Sequence, residues 1–181
     1  MNKGILPDDD ATLGRLRADL LVRIGGALLD VQLTEQVLRL VTTYVLQKSD
    51  PITAEQILAQ VSAEQKKTLG YFVSELRKRA DIDVHFDRTL SEFLRRRNIL
   101  AHNLSDIPGW DLGSSHGIYR GRIFLNELIE LNAEVLKVFT GLVRAWEAHT
   151  GNKSELGDHP FFREVDERYV PLIGSLFFAK G

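Results

Sequence analysis

The sequence predicts an all-α protein: an up-and-down helical bundle of four main helices, with shorter helical pieces and an apolar C-terminal strap. Apolar residues recur at three- and four-residue spacing over several long stretches. No stretch keeps the sustained alternation of a strand. A Gly- and Ser-rich segment and several prolines punctuate the chain between the periodic stretches. One domain is expected over residues 1–181, with the bundle at about 12–150 and an extension at 151–181.

The first helix starts at "PDDDATLG", where a proline and three aspartates suit a helix N-terminus. Leu16, Leu20, Ile24, Leu28, Val31, Leu38, Val41 and Val45 continue it, with a possible kink at Gly25-Gly26. "KSDP" ends it at Lys48–Pro51, and a short helix, "TAEQILAQV", follows. Ser62-Ala-Glu-Gln65 forms a capping box before a helix carrying Leu69, Phe72, Val73 and Leu76. "ADID" breaks or bends the chain. The next helix runs from about Val84 to Leu104. "SDIPGWDLGSSHGIYRG" is expected as a long loop. The last long helix runs from about Arg122 to His149, with Ile123, Leu128, Val135, Phe139, Leu142 and Trp146 on one stripe. The tail "HPFFREVDERYVPLIGSLFFAKG" is apolar but interrupted by Pro160, Pro171 and Gly174. It reads as a strap over the core, or else as a contact with a second chain.

Composition removes several function classes. The formal net charge is −2, so any nucleic-acid site must be a local patch. The chain has no cysteine, which excludes disulfides, thiolate metal sites and a thiol nucleophile. The N-terminus lacks the apolar core of a signal peptide, and no apolar run is long enough to span a bilayer, so a cytoplasmic protein without membrane contact is expected.

One stretch carries chemistry: "RRRNILAHN", Arg95 to Asn103. At about 100° per residue, Phe86, Leu90, Phe93, Leu94, Leu100, Ala101 and Leu104 share one arc, and Arg97 falls inside it. A permanent charge on a core stripe is expensive unless it is paired or opens to a cleft. Ser91, Arg95, Asn98 and His102 form a second, polar row, with Asn98 and His102 one turn apart. The structural alternative is that these cations oppose the negative end of the helix dipole, with Arg97 snorkelling to solvent.

Arg97-Asn98-Ile-Leu-Ala-His102 resembles the Arg-Asn-x-x-x-His signature of the HEPN superfamily (higher eukaryote and prokaryote nucleotide-binding domains). The resemblance is one of motif and of setting: a helical bundle with the motif late in an inner helix and a long helix after it. It implies a metal-independent endoribonuclease, often a toxin or defence effector, with Arg97, Asn98 and His102 as catalytic residues and no cofactor. The residue types suit such a reaction. Histidine, with a usual pKa of about 6.5, can take the ribose 2'-hydroxyl proton or protonate the departing 5'-oxygen. Arginine can stabilise the charge that develops on phosphorus, and asparagine can orient the histidine or hold phosphate. The implied product ends in a 2',3'-cyclic phosphate.

The motif offers one histidine, and an ideal helix sets Arg97 and His102 about 140° apart. Geometry and resemblance together therefore imply a homodimer whose two motifs share a cleft. Some members of the superfamily are restrained by a nucleotidyltransferase-fold antitoxin that modifies a tyrosine two residues after the histidine. Here that position is Leu104, which puts this control in doubt while leaving an antitoxin partner open. Arg95, Arg96 and His116 are weaker candidates for RNA contact; His116 is expected on the loop. Arg77, Lys78, Arg79, Arg120 and Arg122 could line an RNA path but read first as solvated charge. Asp81, Asp83, His85 and Asp87 read as a helix start rather than a metal site. A second Arg-x4-His match, Arg144 to His149, lacks the asparagine and reads as structural. The alternative function is a non-catalytic helical module binding RNA, a nucleotide or a protein.

Overall fold

The computed structural model describes residues 10–45, 68–151 and 159–179. Of these residues 87% are helical, and the fold is an all-α bundle. Helix α1 spans Asp10–Leu40, α2 Leu69–Arg79, α3 Val84–His102, α4 Ser115–Thr150, α5 Pro160–Glu164 and α6 Ile173–Leu176. Strand β1 (Ala80–Ile82) pairs antiparallel with β2 (Phe177–Ala179). Among the described residues no helix is long and apolar enough to cross a membrane. Most of the aspartate cluster at the N-terminus, the expected short helix at "TAEQILAQV" and the capping box at Ser62 lie outside the described residues.

Two compact units divide the chain. One draws on Met1–Leu33 and Glu92–Ala133, the other on Thr34–Ser91 and Glu134–Gly181. The first has a core of Leu20, Ile24, Val31, Phe93, Leu100, Ile118, Leu125 and Leu128, all buried. The second buries Leu38, Val41, Phe72, Val73, Leu76, Phe86, Leu90, Val135 and Phe139. Apart from Ile118, which lies in the segment expected as a loop, and Leu125, these are apolar positions that the helical spacing singles out.

Helix α1 passes without a break through Gly25-Gly26 and ends in a π-helical turn, Val41–Val45. The stretch "ADID" does more than bend the chain. Ala80 to Ile82 become β1, paired Ala80 with Ala179 and Ile82 with Phe177. Three residues are too few to show alternation, so the pairing left no local sign. Asp83 then caps α3: its Oδ1 accepts from the backbone N–H of His85 (2.9 Å) and of Phe86 (3.1 Å). These bonds hold its carboxyl below the usual carboxylate range. The helix-start reading of Asp83 is thereby explained.

The tail packs onto the second unit as a strap. Val165, Tyr169 and Ile173 are buried. The Phe177 ring lies 5.7 Å from that of Phe86 and 6.2 Å from that of Phe139. Tyr169 donates to Glu134 at 2.9 Å, and Arg144 makes paired bonds of 2.9 and 2.8 Å to Asp166. The Asp166 carboxylate holds the Arg144 pKa above its usual value. Arg144 of the second Arg-x4-His match is thus a fastener between α4 and the tail.

The last long helix begins at Ser115, seven residues before the expected Arg122. The reason is local and tertiary together. Ser114 caps it, accepting from the Gly117 N–H on its Oγ (3.1 Å) and from the Ile118 N–H on its carbonyl (3.1 Å). A Cβ on Gly117 would stand 2.6 Å from Asp111 N and nearer still to its carbonyl oxygen. The glycine that reads as loop composition is a contact glycine inside a helix. His116 is accordingly in the first turn of α4 and exposed, not on a loop.

Candidate functional site

The segment before the motif is set by an ion-pair cluster in the first unit. Glu92 accepts from Arg95 at 2.7 and 2.8 Å and from Arg96 at 2.6 Å. Arg96 also donates to Glu127 at 2.5 Å and lies over the Phe124 ring, 5.4 Å from its centroid. Hydrogen bonds from Arg95 and then Arg96 lower the Glu92 pKa to about 2, against the opposing effect of partial burial. Arg95 and Arg96 are therefore explained by carboxylates three and four residues back, and for Arg96 by one on α4. Dipole compensation is not needed for either. With a side chain only 18% exposed, Arg96 is a fixed part of the wall.

Arg97 sits between Phe93 and Leu100, both buried, and is half-buried itself. That is the outcome its place on the apolar arc predicts. Its Nη1 donates to Asn98 Oδ1 at 3.1 Å. The polar row is exposed along its length: Ser91, Arg95, Asn98 and His102 all face solvent. Ala101, expected on the apolar arc, is exposed, because α3 ends at His102 and the arc loses its cover in the last turn. His102 is the final residue of the helix and is exposed. Arg97 and His102 leave the helix about 140° apart. Asn98 lies between them and bonds to the arginine.

A cleft of about 260 Å³ opens beside this row in the first unit. Its walls include Arg95, Arg96 and Ile99 of α3, Ile107 and Pro108 of the connecting segment, and Arg120 of α4. The connecting segment is tied down. Arg120 donates to the Pro108 carbonyl at 3.1 Å, and Arg17 donates to that of Leu112 at 3.1 Å. Trp110 lies against Gly121, where a Cβ would meet its ring at 2.9 Å. Gly109, at φ 76°, takes a left-handed conformation that favours glycine. Sequence reasoning singled out Arg95, Arg96 and Arg120 but missed Ile107, Phe124 and Glu127. No local pattern marks these, since they meet the arginines only in the folded chain.

In the second unit Arg77 pairs with Asp87 (2.7 Å) and donates to Ser91 (2.6 Å). Lys78 pairs with Glu75 at 2.7 Å. Arg79 bonds to Glu75 and to the Thr42 carbonyl. These three cations are held in ion pairs and hydrogen bonds that brace α2. Among the described residues no group of three or more His, Asp or Glu side chains is arranged to hold a metal ion.

No family model matches the chain, and no curated protein or solved structure is significantly similar to it.

Proposed function

We propose that the protein is a metal-independent endoribonuclease of HEPN type, probing RNA with Arg97, Asn98 and His102 and working as a toxin or defence effector. The observation that carries the reading is the exposed end of α3: His102 open to solvent, Asn98 exposed one turn before it, and the Arg97 guanidinium bonded to the Asn98 amide oxygen at 3.1 Å. An arginine retained on an otherwise apolar stripe, half-buried and bonded to a neighbouring polar group, is an expensive choice for a merely structural helix end.

In this reading His102 moves the proton, taking it from the ribose 2'-hydroxyl or giving it to the departing 5'-oxygen. The 2'-oxygen attacks phosphorus, the P–O5' bond breaks, and the products carry a 2',3'-cyclic phosphate and a 5'-hydroxyl. Arg97 opposes the charge gathered on the phosphoryl oxygens. Asn98 holds the guanidinium in place. Because Arg97 and His102 diverge on one helix, a second copy supplies the complementary group. Arg95 and Arg96 contribute to RNA contact only through what their carboxylate partners leave uncovered, which makes them secondary. His116, exposed at the start of α4, is a further contact candidate. An antitoxin would act by covering the end of α3.

The test uses the full chain, a structured RNA and a single-stranded RNA, with EDTA present. The expected result is cleavage with 2',3'-cyclic ends and its loss, by about a hundred- to ten-thousand-fold, in His102→Ala. RNA binding without cleavage by the wild type would overturn the nuclease and favour the non-catalytic module. Cleavage that needs added magnesium, or that survives in His102→Ala, would show that the chemistry lies elsewhere.

A further inference from the structure

The cleft beside α3 holds charges of two kinds. Glu92 takes up Arg95, and Glu92 with Glu127 takes up Arg96, so these two guanidiniums are neutralised where they stand. The other charged residues of the wall are Arg120 of α4 and Asp106 of the connecting segment, both exposed. Arg120 donates from Nε to the Pro108 carbonyl at 3.1 Å, and its stem rests on Gly109, where a Cβ would stand 3.3 Å from Cγ. These contacts hold the guanidinium by one of its N–H donors; among the described residues its Nη groups are uncommitted. The Asp106 carboxylate likewise makes no ion pair or hydrogen bond among the described residues. Ile99, Pro108 and Ile123 give the cleft apolar walls.

The charge balance decides the ligand. A phosphate would meet one uncommitted cation together with an uncommitted anion, and carboxylates that already hold the remaining arginines. An apolar slot with one fork of donors and one pair of acceptor oxygens suits instead a flat, uncharged ligand with acceptors on one edge and donors on the next. At about 260 Å³ the cleft lies below the range of about 300–1,000 Å³ that holds drug-sized ligands, so it takes a single ring system. Unpaired RNA offers such ligands, because its unstacked bases present both their Watson–Crick and their Hoogsteen edges. Among the four bases guanine alone sets two acceptors, O6 and N7, beside two adjacent donors, N1–H and the 2-amino group. An arginine fork matches the first pair and a carboxylate the second. Arg95 lines the cleft and also belongs to the row of Asn98 and His102; along the helix it stands about 10 Å from His102. A strand lying along this row reaches both the cleft and the end of α3.

We propose that this cleft is a guanine pocket, in which the Arg120 Nη groups donate to O6 and N7 of one unpaired guanine and the Asp106 carboxylate accepts from its N1–H and 2-amino group. The proposal rests on RNA being the ligand of the α3 end, and adds the base that the site selects.

The full chain carrying His102→Ala, in EDTA, is titrated onto a short fluorescent oligouridine with one central guanosine, and binding is read by anisotropy. Replacing the guanosine with adenosine weakens binding about tenfold or more, the loss expected for one bidentate pairing. Inosine, which lacks the 2-amino group, falls between the two. Asp106→Asn and Arg120→Lys each remove most of the preference. The first replaces an acceptor oxygen with a donor, and the second keeps the charge but not the planar fork. Both positions are exposed, and circular dichroism with urea unfolding checks that both variants fold. Equal affinity for the guanosine and adenosine oligomers, or binding to neither, overturns the proposal. So does a guanosine preference that survives either substitution. The wild type, given the same RNAs, separates this outcome from the nuclease. Guanosine preference without cleavage keeps the pocket and removes the nuclease; cleavage with no base preference keeps the nuclease and removes the pocket.

Discussion

Glu92 decides how the three arginines after it differ. By holding Arg95 and Arg96, it turns two of them into structure, while Arg97 is oriented by Asn98. Part of this was legible in the sequence: Arg97 stands at a core position of an otherwise regular stripe, and Asn98 and His102 are four residues apart. The engagement of Arg96 by Glu127 and Phe124 was not, because those partners are about thirty residues away and meet it only after folding. The cluster makes a pH prediction. The folded Glu92 pKa is about 2, below its ordinary value of 4.5. A depressed carboxylate stabilises the fold above its unfolded pKa, and that contribution is lost as pH falls toward the folded value. The window is therefore about pH 4.5 down to 2. With the side chain 37% exposed, solvent screening limits the contribution to ~1 kcal/mol. Urea unfolding of wild type and Glu92→Gln should differ by about that much at pH 6, and the difference should vanish by about pH 2.

Helices α1, α3 and α4 were legible as elements because each is long and periodic over several turns. Their edges were not. Strand β1 pairs with a segment nearly a hundred residues later, and neither partner is long enough to alternate. The start of α4 was hidden by composition: "GSSHG" has the residues of a loop, yet Ser114 caps a helix and Gly117 leaves room for the Asp111 backbone beside it. The cost of replacing that glycine follows. Gly117→Ala places a methyl group into the Asp111 backbone, which cannot move away as a flexible side chain could. Overpacking of this kind costs about 1–3 kcal/mol, more than the gain of about 1 kcal/mol in helix propensity. Gly14→Ala, on α1 with nothing within 4 Å, should take only the gain. Urea midpoints should therefore move in opposite directions: down for Gly117→Ala and up for Gly14→Ala. Equal shifts would mean that the connecting segment is not held against α4 as described.

At the scale of the whole molecule, the composite site makes a prediction about two copies of the chain. If Arg97 of one copy works with His102 of the other, two inactive variants complement each other. A dimer of Arg97→Ala with His102→Ala has one composite site intact and one lacking both groups. Random association makes about half the dimers mixed, so the mixture should recover about one quarter of wild-type cleavage. Neither variant should lose much stability, since Asn98 and His102 are exposed and Arg97 is only half-buried. The mixed dimers are verified by capture through a tag on one partner. Verified mixed dimers with no recovery would overturn the one-arginine, one-histidine site across an interface. The remaining choice, a site needing both histidines as acid and base, is read from a hybrid of wild type and Arg97→Ala, which would keep a fraction of activity.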